Sequence, residues 1–183
     1  LGDSLTAGYG LAEEDAYPAV TARLLAERGT PIHLVNAGVS GDTTAGGLSR
    51  LDWVLRQKPV VLVVELGAND GLRGQPLAGI EANLREIVRR GQAAGALVLL
   101  AGMKIPPNYG REYADGFAAI FPRVAKDLRA DLIPFLLEGV AAEAQLNQAD
   151  GIHPTAEGAQ IVARTVAPYV QTLLRRARAG RAA

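Results

Sequence analysis

Residues 60–66 read V-V-L-V-V-E-L, and no alternation of polar and apolar positions interrupts the run until its glutamate. A strand with one face in water alternates, so this one is read as covered on both faces. A second run of the same kind, A-L-V-L-L-A-G-M, occupies 96–103. Between them, over 77–94, Ile80, Leu84, Ile87 and Val88 recur at helical spacing. Two buried strands joined by a long helix are parallel, with a right-handed crossover.

The same alternation extends in both directions. A helix is predicted over 15–28, stopped by Gly29, and a short strand over 32–37, ending at Gly38. A helix over about 44–57 follows, then the central strands, a helix over 111–129, a short strand near 132–135 and a last helix over about 155–177. The expected fold is α/β: a three-layer α/β/α sandwich whose parallel sheet has about five strands in flavodoxin-like order. No repeat or linker divides the chain, so residues 1–183 are read as a single domain.

Composition narrows the functions. Of 183 residues, 49% are hydrophobic and 21% charged, and 19 basic side chains balance 19 acidic ones. That balance creates no field favouring nucleic acid or an anionic membrane. No apolar run is long enough to span a bilayer. The absence of cysteine removes disulfides, thiolate metal sites and a cysteine nucleophile.

In sheets of this kind ligands bind where loops leave the carboxyl ends of the strands. Those loops are G-D-S-L (2–5), N-A-G-V-S-G-D-T-T (36–44), L-G-A-N-D-G (66–71) and G-M-K-I-P-P-N-Y-G (102–110), and D-G-I-H-P (150–154) is expected on the same rim. Of two histidines, His33 lies among Ile32, Leu34 and Val35 and reads as structural. His153 follows Asp150 by three residues, a spacing that lets a carboxylate accept Nδ1–H and leaves Nε2 outward, as a general base requires. A D-G turn before a helix start accounts for the same residues without chemistry. Ser4 is the matching nucleophile, inert until a base takes its proton; it also suits a turn or a helix N-cap. The G-x-S-x-G elbow is absent, since Thr6 stands at its glycine position. An acyl-transfer site further needs donors for an oxyanion. The Ser4 N–H, the N–H of Gly41 in S-G-D-T-T and the side-chain amide of Asn69 in G-A-N-D can supply them, although S-G-D and N-D-G are also common turns.

These four blocks in this order resemble the SGNH (GDSL) hydrolase superfamily over nearly the whole chain. The stretches 64–74 (V-E-L-G-A-N-D-G-L-R-G), 106–113 (P-P-N-Y-G-R-E-Y) and 150–154 look closest to its bacterial thioesterase/lysophospholipase and arylesterase branch. The resemblance implies Ser4 as nucleophile, His153 as base, Asp150 as its orienter, and Ser4, Gly41 and Asn69 as the oxyanion hole. It implies a small acyl ester or thioester as substrate, no metal or cofactor, and a periplasmic or secreted location.

For the acyl chain the expected wall is Leu72, Leu77, Ile105, Pro107, Asn108 and Tyr109, although Leu72 and Leu77 equally suit closure of the core beneath a loop. Glu65, at a buried strand end, needs a partner or a place on the rim. Asp3, Asp42 and Asp70 read as loop braces. A carbohydrate O-deacetylase on the same fold is the nearest rival. A non-catalytic flavodoxin-like domain cradling a phosphate in S-G-D-T-T-A-G (40–46) is the more distant one. If the G-D-S-L turn ends a strand, that strand needs about five apolar residues, each contributing roughly 1.5–3 kcal/mol. Leu1 is therefore expected not to be the native start, with an apolar segment ahead of it.

Overall fold

The run at 60–66 supplies β1 (Val61–Val64), and the run at 96–103 supplies β2 (Leu97–Ala101). With β3 (Asp131–Ile133) they form a parallel sheet of order β1-β2-β3, in register from Val61 opposite Leu97 and from Leu99 opposite Asp131. The computed structural model describes residues 1–182. Its helices are α1 (Ser4–Ala7), α2 (Tyr17–Glu27), α3 (Thr44–Ser49), α4 (Leu51–Arg56), α5 (Ala68–Leu72), α6 (Leu77–Ala93), α7 (Arg111–Leu128) and α8 (Ala156–Ala182).

The helices lie on both faces of the sheet. On one face α8 crosses all three strands and packs on α2; on the other α6 and α7 pack together against β2, and α3 joins α6. Leu84 and Ile87 of α6, Phe117 and Phe121 of α7, and Leu99 and Leu100 of β2 are fully buried. The two phenylalanine rings meet edge to face at 5.4 Å, a favoured geometry for aromatic pairs. This is why β1 and β2 read as unbroken apolar runs.

The sheet has three strands where about five were expected, and the difference lies at one edge. Gly2 makes single parallel bridges to Gly38 on one side and to Glu65 on the other. Around it the Glu65 N–H donates to Leu1 O (2.9 Å), the Gly2 N–H to Ala37 O (3.3 Å) and the Val39 N–H to Gly2 O (3.0 Å). The first expected strand is thus a stub between β1 and Gly38. Residues 32–37 form no strand, because over that span nothing lies beside them to complete a ladder. A groove of about 460 Å³ separates them from β1, walled by Val61, Val63, Val35, Thr21, Val166 and Val170. Leu34 and Val35 are left exposed.

The helix expected over 44–57 is two helices, broken at Arg50. There the guanidinium reaches Asp42 Oδ2 (2.7 Å), Ala37 O (2.8 Å) and Gly2 O (2.9 Å). The side chain ties the stub, its neighbour and the 40–44 loop together.

Candidate active site

Asp3 ends the stub and caps α1, its Oδ1 accepting the Leu5 N–H at 3.0 Å. Ser4 is therefore the first residue of the helix and not its cap, so its hydroxyl is left for other work. Gly8, in the left-handed region (φ 77°), stops the helix after one turn. Gly2 admits no side chain: a Cβ there would collide with Thr6 Oγ1 and lie 2.7 Å from Glu65 Oε2.

Ser4 Oγ lies 2.8 Å from His153 Nε2, and His153 Nδ1 lies 2.7 Å from Asp150 Oδ2. The other Asp150 oxygen accepts the N–H groups of Ile152 and His153, both at 3.0 Å. These three bonds explain the D-x-x-H spacing: the aspartate holds the backbone and the ring of the same short turn. The His153 side-chain bond, then the two backbone N–H bonds, draw the Asp150 carboxyl down to about 2. An ionised Asp150 selects the tautomer with Nδ1–H donated and Nε2 free to accept the serine proton.

The loop is anchored by the Gln148 N–H to His153 O (2.7 Å) and the Thr155 N–H to Leu146 O (2.9 Å). Two contributors escaped the sequence reading. Tyr9 lies against the imidazole, ring centroids 4.6 Å apart. The Gln148 side-chain amide donates to Tyr9 O (2.7 Å) and Pro154 O (3.0 Å), joining the serine turn to the histidine loop. The only local signal was the paired glycines around Tyr9; nothing near Gln148 marks it.

Asn69 links the loops that carry the other two expected oxyanion donors. Asn69 Nδ2 donates to Asp42 O at 2.9 Å and to Asp3 Oδ2 at 3.2 Å, the neighbours of Gly41 and Ser4 respectively. Gly41 adopts φ 80°, which favours glycine. Arg73 holds its carbonyl at 3.1 Å. Among the described residues, the Ser4 and Gly41 N–H groups donate to no protein acceptor.

Asp3 and Asp42 brace the loops as expected. Asp70 does so by accepting the Thr44 N–H (2.8 Å) and hydroxyl (2.6 Å). That carboxylate stands where a phosphate on the 40–46 loop would have to bind, and Thr43 caps Gly46 at 3.2 Å. Of the donors a phosphate cradle would use, those of Thr43, Thr44 and Gly46 are already taken.

The six residues expected as an acyl wall differ in how they are placed. A small crevice of about 10 Å³ behind Ser4 and His153 is lined by Leu5, Tyr9, Leu11, Leu136 and Leu137 among others. Ile105 is buried, Leu72 and Leu77 are half-buried against the core, and Pro107, Asn108 and Tyr109 form an exposed 3-10 turn. Those three share the rim through the 102–110 loop.

A parallel α/β sheet that carries a serine–histidine–aspartate array on its rim, with an asparagine amide bonded to the loops on either side, has the layout of a serine esterase. The GDSL-like Lipase/Acylhydrolase family profile matches residues 1–161. The chain is 42% identical over 175 residues to Esterase TesA of Pseudomonas aeruginosa, covering 95% of this chain and 87% of that protein. Identity to Thioesterase 1/protease 1/lysophospholipase L1 of Escherichia coli K12 is likewise 42% over 175 residues, 95% of this chain and 83% of the relative. The crystal structure of TesA superposes with a TM-score of 0.90, at 42% identity, over 94% of this chain and 96% of the other. The chain belongs to the GDSL-like lipase/acylhydrolase family. It is an ester-acting hydrolase, with the SGNH arrangement of an α/β fold.

Proposed function

We propose that this enzyme cleaves carboxylic esters and thioesters of acyl groups through an acyl-Ser4 intermediate. Ser4 Oγ attacks the carbonyl carbon while His153 Nε2 takes its proton. Asp150 holds the imidazole and stabilises the imidazolium. The tetrahedral oxyanion receives bonds from the Ser4 and Gly41 N–H groups and from the Asn69 amide. Both Asn69 hydrogens are engaged at rest, so the amide gives up the longer bond, to Asp3, as the oxyanion forms. His153 then delivers its proton to the leaving alcohol or thiol. Water, deprotonated by His153, attacks the acyl-enzyme, and collapse of the second intermediate returns the proton to Ser4 and releases the acid.

The observation that carries this reading is the unbroken line from Asp150 Oδ2 through the imidazole to Ser4 Oγ, at 2.7 and 2.8 Å. The names of the relatives, an esterase and a thioesterase/lysophospholipase, support both ester and thioester as substrates. Tyr109, exposed on the 102–110 loop, is the rim residue assigned to a longer acyl chain.

The test is hydrolysis of p-nitrophenyl esters from acetyl to palmitoyl, with one acyl-CoA, against Ser4→Ala. Turnover that vanishes in the variant and peaks beyond acetyl is expected. A peak confined to acetyl overturns the acyl-chain assignment in favour of a deacetylase. Turnover that survives Ser4→Ala overturns the mechanism.

A further inference from the structure

Behind the serine lies a carboxyl pair that the mechanism does not use. Glu65, at the end of β1, and Asp3 are both buried, at 0% and 1% exposure. Glu65 Oε2 accepts the Thr6 hydroxyl at 2.7 Å and the Asp3 N–H at 3.2 Å, both neutral donors. Glu65 Oε1 is buried with no donor at all. The Asp3 N–H bond to Glu65 Oε2 sets the two carboxyl groups close together in the interior. No guanidinium or ammonium reaches either group through a side-chain bond, and Arg50 is spent on Asp42 and two carbonyls.

Two carboxylates in contact away from water cannot both ionise. Asp3 is the better anion: each of its oxygens has a donor, the Leu5 N–H and the Asn69 amide, whereas Glu65 Oε1 has none. Burial raises both groups, Glu65 well above its ordinary range. The other groups facing the pair do not change this order. Tyr17 on α2 is pushed up by its own burial, the Leu1 amino group is lowered to about 5, and His153 acts on Asp3 alone.

We propose that Glu65 is a positioning residue: it keeps its proton and donates it to Asp3, so that Asp3 holds Asn69 only weakly and the amide is free to turn to the oxyanion. The 3.2 Å length of the Asn69–Asp3 bond, against 2.9 Å for Asn69–Asp42, is the geometric counterpart. A glutamine in place of Glu65 can make the same donation from its amide and accept from Thr6 through its carbonyl. An alanine leaves Asp3 with its full charge on Asn69. The inference rests on the proposed oxyanion role of Asn69 and deepens it.

The experiment compares the wild type, Glu65→Gln and Glu65→Ala on one p-nitrophenyl ester, with infrared spectra of the folded proteins. Glu65→Gln should keep kcat within about threefold, while Glu65→Ala loses about 10²-fold in kcat at little-changed KM, the scale of a small misplacement of a reacting group. The wild-type spectrum at neutral pH should contain a protonated-carboxyl C=O band that is missing from Glu65→Gln. That band is read whether or not Glu65→Ala folds. A glutamine variant as slow as the alanine variant, or no band lost on Glu65→Gln, overturns the proposal. Failure of the underlying reading is separate: it shows as undiminished turnover in Asn69→Ala.

Discussion

His153 Nε2 lies 2.8 Å from Ser4 Oγ although 149 positions separate them in the chain. The sheet and the Gln148 side chain bring them together. The Leu1–Gly2 stub delivers Ser4 beside β1, and the loop entering α8 delivers His153. Replacing Ser4 or His153 with Ala should therefore cost about 10⁴–10⁶ in kcat, the range for members of such an array. Circular dichroism should show both variants folded, since neither side chain is in the core.

Asn69→Ala should lower kcat by about 10²–10³, as removal of one oxyanion donor does, with KM on the same ester little changed. It also leaves Asp3 Oδ2 and Asp42 O without their donor, so a modest fall in Tm accompanies it. Thermal melts alongside kinetics check both effects.

The residues that meet at this site are legible in the sequence because each lies in a loop bordering a predicted element and has glycine or a small polar residue close by. Both features are local. The edge of the sheet is not local: residues 32–37 have strand composition, but a strand needs a partner, and only Gly2 offers a bridge. The break at Arg50 is equally distant in origin, made by carbonyls of Gly2 and Ala37. Glu65 could be recognised as needing a partner, yet its partners Thr6 and Asp3 lie some sixty positions away. Gln148 binds Tyr9 across 139 positions.

Asp150 is held down to about 2 from its ordinary 3.8. A lowered carboxyl contributes its pairing fully above 3.8 and loses it only as pH falls toward 2. Activity lost on acidification from neutral pH to about 4 is therefore not protonation of Asp150. Carbon NMR of its labelled carboxyl should titrate near 2, and a midpoint at or above 3.8 would show that the His153 contact is not maintained in solution.

Glu65 has the opposite sign. Its value in the fold lies above its ordinary 4.5, so the protonated pair stabilises fully below 4.5 and that contribution declines as pH rises toward the folded value. Glutamine needs no proton to make the same bonds. The Tm of Glu65→Gln relative to wild type should therefore rise from pH 5 to pH 8; a difference independent of pH would contradict a neutral Glu65.

The groove beside β1 is lined by Leu1 itself together with valines of β1 and of the 32–37 segment. Four or five apolar, β-branched residues joined ahead of Leu1 should lie in it as a strand. Each buried side chain is worth roughly 1.5–3 kcal/mol. The melting temperature should rise by many degrees and residues 32–37 should gain amide-exchange protection. A serine–glycine extension of equal length should do neither.

The central claim is that Ser4 attacks the acyl carbonyl, and covalent trapping tests it most directly. The enzyme is treated with a p-nitrophenyl phosphonate ester, and the intact protein and its peptides are weighed. The account predicts a single phosphonyl adduct, on Ser4, formed with loss of p-nitrophenol and slowed greatly by His153→Ala. An adduct on another residue, or none while ester turnover continues unchanged, would contradict it.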